Sequence, residues 1–300
     1  MAERRFSEDE PVMVSIRCIT YNHAPYIRQC LDGFVMQKTN FRFQAVVHDD
    51  ASTDGTTEIV REYAEKYPDI IIPMYEEENR WSKHDGTLLT CMLPLMTGKY
   101  WAECEGDDYW IDPYKLQKQV DFLETHPDYG LVRTNVNRFY QDTQEIEKDI
   151  FSNKEWRGMK DTHEDYILNR WFAAPCTWLW LTELKREEAL SKSGDCFTGD
   201  LALLLAFSKQ KKIKYLSDTT AVYRVLKKSS SHFDNPLQEM NFWLRLKNTR
   251  LYFAQYCSFV VKLEFSLRLI KEYAYRIKQN RNRLVFLVRT YMKDINALFF

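Results

Sequence analysis

The sequence has no long apolar run, no glycine-rich nucleotide fingerprint and no strong net charge. No stretch of the 300 residues approaches the ~18 apolar residues that a membrane-spanning helix needs, and the beginning lacks an apolar leader segment. No Gly-x-Gly-x-x-Gly follows a predicted strand, which argues against a dinucleotide-binding oxidoreductase. The net charge of −1 gives no reason to expect nucleic acid as a partner. We expect a cytoplasmic protein, soluble or peripheral at the inner face of the cell membrane.

Paired cysteine motifs are absent as well. The seven cysteines are odd in number and show no Cys-x-x-Cys spacing, a pattern typical of reduced thiols used as small apolar residues. No set of His and Cys has the spacing of a zinc site. The sequence therefore indicates a reducing compartment, and its 45% hydrophobic residues are enough to form a substantial core.

The first hundred residues contain a regular alternation of strand and helix patterns. Apolar runs with β-branched residues predict strands at 12–19, 43–47, 70–74 and from residue 100 onward. Helical spacing separates these runs, with the inner faces Ile27, Cys30, Leu31, Phe34 and Val35; Ile59, Val60, Tyr63 and Tyr67; and Leu88, Leu89, Met92, Leu95 and Met96. This order predicts an α/β fold with a mostly parallel sheet flanked by helices.

Polar residues follow three of the predicted strands. They are Thr20-Tyr21-Asn22, Asp49-Asp50 and the acidic stretch 105–108. Because ligands of parallel sheets bind at the carboxyl ends of the strands, we expect these groups to converge. Carboxylates on a short turn suit Mg²⁺ or Mn²⁺, which leave coordination positions for substrate phosphates. A fully solvated acidic loop is the alternative, and Asp49 and Asp50 could bind the metal, cap the next helix or accept a hydrogen bond from a nucleobase.

Beyond residue 112 the pattern is less regular. Leu116, Val120 and Leu123 predict a helix that ends before His126. The other predicted elements are a strand at 129–140, a surface loop at 141–160, a short helix at 161–171, a strand or pocket wall at 174–181, a helix at 201–210 with Asp200 in its first turn, and strands at 213–216 and 219–225.

The last 65 residues, 236–300, are basic and mainly helical in pattern. They contain 12 Lys and Arg against 4 Asp and Glu, whereas the first 235 residues contain 30 against 39. Residues 261–269 alternate as a strand does, but no turn signal flanks them, so we expect a helix. The basic, apolar-rich segment could contact an anionic membrane surface or pack on the acidic body.

Three stretches resemble the signature blocks of family 2 glycosyltransferases. They are Val-Ser-Ile-Arg-Cys-Ile-Thr-Tyr-Asn-His at 14–23, Val-Val-His-Asp-Asp-Ala-Ser-Thr-Asp-Gly-Thr at 46–56 and Glu-Gly-Asp-Asp-Tyr-Trp at 105–110. The resemblance covers residues 12–232, with the blocks in the family's order and spacing. It implies a GT-A domain over 1–235, with a nucleotide-sugar-binding half at 12–112 and an acceptor-binding half at 113–235, followed by a helical C-terminal extension at 236–300.

The resemblance also implies site residues. The nucleotide-sugar would contact Thr20, Tyr21, Asn22, Asp49, Asp50, Ser52, Asp107 and Arg224, with Asp49 or Asp50 on the base. Glu105-Gly106-Asp107 stands at the family's Asp-x-Asp metal motif, so the metal ligands would be Asp107, Glu105 and Asp108, with Asp107 preferred because Glu replaces the first Asp. Thr198-Gly199-Asp200 stands where relatives have a Glu-Asp pair, and this leaves Asp200 as the catalytic base.

These residues imply an inverting glycosyltransferase of polysaccharide or cell-envelope synthesis that depends on Mn²⁺ or Mg²⁺. A UDP-sugar is the favoured donor, and the acceptor would be a saccharide or a lipid-linked molecule, which the basic segment 236–300 could meet at a membrane surface. Because Glu105 and Gly199 depart from the family's pattern, a non-catalytic nucleotide-sugar-binding protein is the alternative. An aspartyl-phosphate phosphatase is disfavoured, since its nucleophile would stand at the end of the first strand, where Thr-Tyr-Asn stands here.

Overall fold

The computed structural model divides the chain into two compact units. The described residues are 10–83, 90–153, 156, 159–169, 174–184, 199–227, 235–279 and 283–299. The first unit comprises 1–158, 174–184 and 210–233, and the second comprises 159–173, 185–209 and 234–300. The division into halves at residues 112 and 235 stays a prediction.

Nine strands among the described residues form one sheet, which lies in the first unit. The strands are β1 (Val14–Thr20), β2 (Phe43–Asp49), β3 (Ile71–Tyr75), β4 (Tyr100–Glu103), β5 (Tyr109–Trp110), β6 (Tyr129–Tyr140), β7 (Glu145–Glu147), β8 (Leu179–Leu181) and β9 (Lys212–Val225). The α-helices whose bounds the structure describes in this unit are α1 (Ile27–Val35), α2 (Thr56–Lys66) and α3 (Lys115–Thr125).

The sheet is parallel in its first half and mixed in its second. Its strand order is β3-β2-β1-β4-β8-β6-β9-β5, with β7 paired to β6. β1 pairs in parallel with β2 and β4, and β2 with β3, while β6 and β9 form a further parallel pair. The antiparallel strand β8 connects β4 to β6. The parallel half is the part that the alternating pattern of the first hundred residues predicts.

Burial explains why these segments form strands and helices. β1 and β2 are buried along most of their length, as expected when helices cover both faces of a parallel sheet. α1 buries Ile27, Cys30, Leu31 and Phe34 of its predicted inner face. α3 begins at Lys115, shortly after Pro113, and buries the predicted residues Leu116, Val120 and Leu123.

Several elements differ from their predicted form. Residues 84–89 of the predicted third helix lie outside the described residues, and a 3₁₀ helix follows at Leu93–Leu95. The segment 174–181 is a 3₁₀ helix at Pro175–Thr177 followed by β8. Short elements also occur in the predicted loop after residue 140, namely β7 and a 3₁₀ helix at Ile150–Ser152.

The two strands predicted at 213–216 and 219–225 are one strand, β9. Leu216 pairs with Thr134 and Thr219 pairs with Asn135, so β9 carries two extra residues at this point. Such a bulge interrupts the ladder without ending the strand. The Ser-Asp pair at 217–218 has the composition of a turn, which is why the sequence predicts a break there.

The second unit is helical in its described residues. Its helices are α4 (His163–Leu168), α5 (Gly199–Gln210), α6 (Pro236–Ala254), α7 (Phe259–Gln279) and α8 (Leu284–Phe299). The ambiguous stretch 261–269 lies inside α7, so the prediction of a helix is confirmed. Phe265, Leu269 and Tyr273 are buried at intervals of four residues, and this helical stripe outweighs the local alternation. Within the described ranges, no helix combines the length and apolar character needed to span a bilayer.

A charged pair lies in the interior of this second unit. The ammonium group of Lys247 donates to both oxygens of Asp294, at 2.8 and 2.7 Å, and the Tyr273 hydroxyl donates to the same carboxylate. Burial lowers the pKa of Lys247, and the Asp294 charge opposes this effect. The three residues stand on α6, α7 and α8, so the network links the C-terminal helices.

Candidate active site

The carboxyl ends of β2, β1 and β4 are neighbours in the sheet. Thr20, the last residue of β1, is the register partner of Asp49 in β2, and Arg17 of β1 is the partner of Glu103 in β4. The backbone N–H of Asp50 donates to the Thr20 carbonyl at 3.0 Å. The three polar strand ends that the sequence predicts to converge therefore do so.

Residues 105–108 form a tight acid turn that is fastened to the end of β1. The Gly106 N–H donates to the Ile19 carbonyl at 2.9 Å. A Cβ at Gly106 would lie 2.5 Å from Thr20 Oγ1 and 2.7 Å from Thr20 Cβ. Only a glycine allows the backbone to approach β1 this closely, so this residue sets the position of the acids on either side of it.

Asp107 and Glu105 are the acids of the turn that reach towards solvent. Glu105 is exposed and Asp107 is half-buried. Among the described residues, no group donates a hydrogen bond to the Asp107 carboxylate. A carboxylate on a fixed turn with no protein partner can offer its oxygens to a hard cation. The donor set of Asp107 and Glu105 thus fits the divalent metal that the resemblance implies.

Two buried polar atoms beside the turn have no hydrogen-bond partner among the described residues. They are Oγ1 of Thr20 and Nδ1 of His23, and a Cβ at Gly106 would lie 3.0 Å from the His23 nitrogen. Burial lowers the pKa of His23, against the charges of Asp107 and Asp54. Because buried polar groups are nearly always paired, such atoms indicate a place for a ligand or a water.

Asp108 points into the unit instead of towards Asp107. Its Oδ1 accepts a hydrogen bond from the Arg224 backbone N–H at 2.8 Å, and the Cys176 thiol is a second partner. Burial, with the charge of Asp107, raises the pKa of Asp108 well above its usual range. The Asp108 side chain thus joins the acid turn to β9. The resemblance instead implies that this side chain is a metal ligand.

The guanidinium group of Arg224 is occupied by protein partners. Nε donates to the Asp107 carbonyl at 2.7 Å, Nη1 to Gln141 Oε1 at 2.5 Å and Nη2 to Gln29 Oε1 at 2.6 Å. The group also lies over three rings, those of Tyr26, Tyr109 and Phe139. In this structure Arg224 holds the backbone of the acid turn, whereas the resemblance implies a contact with the nucleotide-sugar.

Asp49 and Asp50 are both buried and both accept hydrogen bonds from neighbouring loops. The Asp50 oxygens accept the backbone N–H groups of Arg80 and Trp81 at 2.7 and 3.0 Å. Asp49 accepts the Thr57 hydroxyl and a backbone N–H three residues along the chain at 3.2 Å. These bonds fasten the loops that follow β2 and β3, and the N-cap of α2 has no side-chain hydrogen bond, so neither aspartate caps that helix here.

The predicted nucleoside residues around Asn22 form a second fixed loop. Asn22 has a left-handed backbone with φ of 54°, its N–H donates to Ser52 Oγ at 2.9 Å, and its side-chain oxygen accepts the Thr53 N–H at 2.8 Å. Tyr21 is exposed beside it. The hydroxyl of Ser52 therefore orders the loop after β1. The Tyr21 ring is exposed to solvent and is accessible to a ligand.

Asp200 lies in the first turn of α5, in the second compact unit, and is half-exposed. Thr198, the first residue of its motif, lies outside the described residues. A Cβ at Gly199 would meet no atom of the described residues within 4 Å. The glycine that replaces the family's Glu is therefore not required by close packing.

Three polar residues of this site have no role that the sequence predicts. They are His23, whose Nδ1 has no hydrogen-bond partner within the described ranges, and Gln29 and Gln141, which accept the hydrogen bonds of Arg224. His23 could have been found from its position at the end of the first signature block. The two glutamines carry no local signal, because their common partner Arg224 stands 195 residues from Gln29 and 83 residues from Gln141.

A second cluster with metal-ligand chemistry lies on the other side of β2. Ligand atoms of His48, Glu76 and Cys91 lie within 4.8 Å of one another, and His48 Nε2 is 3.1 Å from Glu76 Oε1. Arg80 Nε also contacts this carboxylate, at 2.6 Å. The guanidinium charge already balances Glu76, so the acid turn offers the better site for a divalent cation.

A buried lysine packs behind the acid turn. Lys115 of α3 donates to Gln119 Oε1 at 2.7 Å, and its ammonium group lies 4.3 Å from the centre of the Trp110 ring. Burial lowers the pKa of Lys115 to about 7. This side chain therefore changes charge near neutral pH inside the unit that carries the acids.

Comparison with known proteins gives four informative likenesses. The uncharacterized protein Rv1520 of Mycobacterium tuberculosis is 39% identical over 159 residues, which are 53% of this chain and 44% of that protein. The UDP-Glc:alpha-D-GlcNAc-diphosphoundecaprenol beta-1,3-glucosyltransferase WfaP of Escherichia coli is 28% identical over 113 residues, 38% of this chain and 42% of its own length. The chain thus spans less than half the length of these relatives.

The fold is shared with solved glycosyltransferases. S. aureus TarS 1-349 in complex with UDP-GlcNAc has a TM-score of 0.65 at 17% identity, covering 96% of this chain and 84% of that one. The mannosyltransferase PcManGT from Pyrobaculum calidifontis, in complex with GDP-Man and Mn²⁺, has a TM-score of 0.50 at 18% identity, covering 98% and 90%. The GT-A fold expected from the resemblance is confirmed.

The family itself follows from a match that spans more than half of the chain. The family model for glycosyl transferase family 2 matches residues 15–184. This range includes β2, the acid turn and all of β1 except Val14, and so it takes in the second and third signature blocks and residues 15–23 of the first. The chain belongs to glycosyl transferase family 2.

Proposed function

We propose that this chain is an inverting glycosyltransferase that transfers a sugar from a nucleotide-sugar to a hydroxyl group, with a divalent cation at Asp107. The observation that supports it best is the Asp107 carboxylate, which lacks a partner among the described residues, at the carboxyl ends of β1, β2 and β4. The Thr20 hydroxyl and Nδ1 of His23, which have no hydrogen-bond partner in the described part of the chain, lie beside the same turn. Acidic and neutral polar groups that converge on one spot suit a metal-bound diphosphate.

The donor and acceptor classes rest on the named relatives. A UDP-sugar is favoured because WfaP uses UDP-Glc by its name and TarS was solved with UDP-GlcNAc. A lipid-linked saccharide is favoured as acceptor because WfaP acts on a diphosphoundecaprenol-linked sugar by its name. Mn²⁺ accompanies GDP-Man in the mannosyltransferase structure. We place the reaction at the inner face of the cell membrane, in polysaccharide synthesis.

The reaction assigns separate roles to the acids. When bound, the cation would be held by Asp107 and Glu105 and would neutralise negative charge on the diphosphate leaving group. The acceptor oxygen forms a bond to the anomeric carbon as the bond from that carbon to the diphosphate oxygen breaks, and the electron pair leaves with the nucleoside diphosphate. The hydroxyl proton passes to the carboxylate of Asp200. Attack opposite the leaving group inverts the anomeric carbon.

The first test measures donor binding. Thermal unfolding should be followed with UDP, UDP-sugars and GDP, each with and without Mn²⁺. A ligand at a hundred times its Kd adds about 2.7 kcal/mol to the free energy of unfolding. We expect Asp107→Asn to lose the Mn²⁺-dependent part of the stabilisation. The matched control is Asp142→Asn, which changes an exposed acid of the same unit and should behave as the unmodified chain.

Two further results would contradict the assignment of the cation. The His48–Glu76–Cys91 cluster holds the cation if the Mn²⁺ effect survives Asp107→Asn and disappears in Cys91→Ser. Donor binding that is equally strong without any divalent cation would remove the metal from the proposal altogether. Loss of the Mn²⁺ effect in Asp107→Asn alone supports the acid turn.

The non-catalytic alternative is tested through Asp200. In the proposed enzyme, Asp200→Asn should bind the donor unchanged and transfer sugar about 10²–10⁴ times more slowly, since a general base contributes a factor of this order. An unchanged transfer rate would remove Asp200 from the mechanism. If the unmodified chain binds the donor but transfers no sugar to any of a panel of lipid-linked saccharides, the chain is a binding protein.

A further inference from the structure

The outward side of α7 is apolar. Four exposed apolar side chains of this helix recur every three or four residues, namely Val260, Leu263, Leu267 and Ile270, and Phe259 is exposed beside the first of them. Val260 is 71% exposed. The opposite stripe of the helix carries Phe265 and Leu269 in the interior. A surface helix normally has polar residues on its outer face, so α7 presents apolar residues on two faces.

α8 repeats this arrangement. Val285, Phe286, Val288 and Met292 are exposed, while Leu287 between them is buried. Two depressions mark the combined apolar surface. One, of about 530 Å³, is lined by residues of both helices, Phe259, Lys262, Leu263, Leu298 and Phe299. The other, of about 450 Å³, is lined by Val285, Phe286, Arg289, Thr290 and Lys293. Each is lined by apolar side chains together with at least one cationic side chain.

The positive charge of this region is not balanced within it. All four acids of 236–300 form ion pairs inside the second unit: Glu239 with Arg276, Glu264 with Arg268, Glu272 with Arg250 and Asp294 with Lys247. Six cations of α7, α8 and the turn before α8 have no acidic partner among the described residues, namely Lys262, Lys271, Lys278, Arg283, Arg289 and Lys293. The outer face therefore combines exposed apolar area with uncompensated positive charge.

We propose that the outward face of α7 and α8 binds the surface of an anionic phospholipid bilayer. The exposed Leu, Val, Ile, Phe and Met side chains would enter the boundary between headgroups and acyl chains, and the unpaired cations would contact lipid phosphates. A second copy of this chain is a poorer occupant, because a symmetric contact through this face would bring the same cations against each other. A bilayer provides both the apolar phase and the opposite charge.

Vesicle flotation tests this inference with the full chain. The vesicles are phosphatidylcholine alone or phosphatidylcholine mixed with phosphatidylglycerol, at low and high salt. We expect binding only to the anionic vesicles, weaker at high salt. Arg289→Gln with Lys293→Gln should weaken binding about 30-fold, since each cation near an anionic surface contributes a factor of about five. Val260→Asn with Leu267→Gln should also weaken it, with less change in the salt dependence.

A matched control removes two cations elsewhere. Lys148→Gln with Lys160→Gln changes the net charge by the same amount at two exposed positions and should bind vesicles as the unmodified chain does. Asp107→Asn should also bind normally. Vesicle binding therefore succeeds or fails independently of the proposed sugar transfer, because it needs neither the donor nor the cation.

Three results would overturn the inference. The first is no flotation with anionic vesicles at low salt. The second is equal loss of binding in the Lys148/Lys160 control and in the Arg289/Lys293 variant, which would indicate a general charge effect. The third is light scattering that shows a dimer which Val260→Asn with Leu267→Gln dissociates, with no vesicle binding by the unmodified chain. That outcome would assign the face to a second copy.

Discussion

Replacing Gly106 by alanine should displace the acid turn from β1 and remove the proposed cation site. The added Cβ would lie 2.5 Å from Thr20 Oγ1, 2.7 Å from Thr20 Cβ and 3.0 Å from His23 Nδ1. Ordinary contacts of this kind need about 3.5 Å or more. Thr20 is held by the sheet through its pairing with Asp49, so we expect the turn, and not the strand, to move by about 1 Å.

The size of the effect follows from two general magnitudes. Forcing an extra methyl group into a packed contact costs typically about 1–3 kcal/mol of the free energy of unfolding. Metal–oxygen distances for Mg²⁺ are held near 2.0–2.1 Å, so a displacement of about 1 Å cannot preserve the coordination by Asp107. Loss of the groups that orient a ligand weakens metal affinity about 10–100-fold. Gly106→Ala should therefore lose more Mn²⁺ affinity than its modest instability suggests.

The control for this experiment is Gly130→Ala. A Cβ at Gly130 would lie 2.6 Å from Lys211 Cβ and 3.1 Å from Leu184 Cδ1, so the same kind of clash arises at the other end of the long strand β6. Nine residues of extended strand separate this position from Phe139, which pairs with Arg224, a distance of about 30 Å. Urea unfolding and Mn²⁺-dependent UDP binding by calorimetry should both be measured for the two variants.

The expected pattern is a loss of stability in both variants and a loss of Mn²⁺-dependent binding in Gly106→Ala alone. If Gly106→Ala loses stability as Gly130→Ala does but keeps its Mn²⁺-dependent binding, the turn does not hold the cation. If both variants lose binding equally, the effect belongs to general instability, and the close approach of Gly106 to β1 has no particular role.

Three further changes test the interior around the site and the helical unit. Arg224→Leu should lower the free energy of unfolding by about 1.5–3 kcal/mol in urea titration, because three part-buried acceptors lose bonds to a charged donor, and it should weaken Mn²⁺ binding because the Asp107 carbonyl is released. Lys115→Met should abolish a rise in stability between pH 7 and 9. Asp294→Ala should cost about 3–5 kcal/mol by leaving Lys247 uncompensated, while the double change Asp294→Leu with Lys247→Met should be much closer to the unmodified chain.

The pH effect of Lys115 has a definite sign. Burial lowers its pKa to about 7 in the folded chain, from the ordinary value of 10.5, so between these values the unfolded chain binds more protons. The free energy of unfolding then rises with pH, by up to about 1.4 kcal/mol per pH unit. A flat profile in the unmodified chain would contradict the burial of the charge. An unchanged slope in Lys115→Met would assign it to another group.

The sequence predicts the features of the fold that depend on local pattern and on topology. Helical spacing in 27–35 and β-branched runs in β1 and β2 report burial directly, because each side chain is covered by the neighbouring layer. The convergence of the strand ends follows from right-handed parallel crossovers. Neither inference requires knowledge of a distant side chain, and both agree with the structure.

The roles of individual polar residues in the site depend on distant partners. Arginine is a common phosphate ligand, yet the guanidinium N–H groups of Arg224 donate hydrogen bonds to Gln29 and Gln141. Gln29 lies on α1, and Gln141 follows the last residue of β6. Nothing in the sequence near Arg224 indicates this, because the contact arises only when β9 pairs with β6. The bulge at 217–218 also depends on a distant partner. In the sequence the two extra residues resemble a turn, and only the pairing of β9 with β6 identifies them as a bulge.

Tertiary packing gives Asp107 and Asp108, two adjacent residues of the acid turn, different roles. They are adjacent and chemically identical, but burial and the N–H of Arg224 make Asp108 a structural group with a raised pKa, whereas the Asp107 carboxylate has no partner among the described residues. Arg224 binds this pair twice, by its backbone to Asp108 and by Nε to the Asp107 carbonyl. One carboxyl thus fixes the turn to β9, and its neighbour is thereby held in a constant position at the strand ends. A pair with both side chains in water would repel and would leave the turn free to move, so the inward position of Asp108 is a condition for the proposed cation site at Asp107.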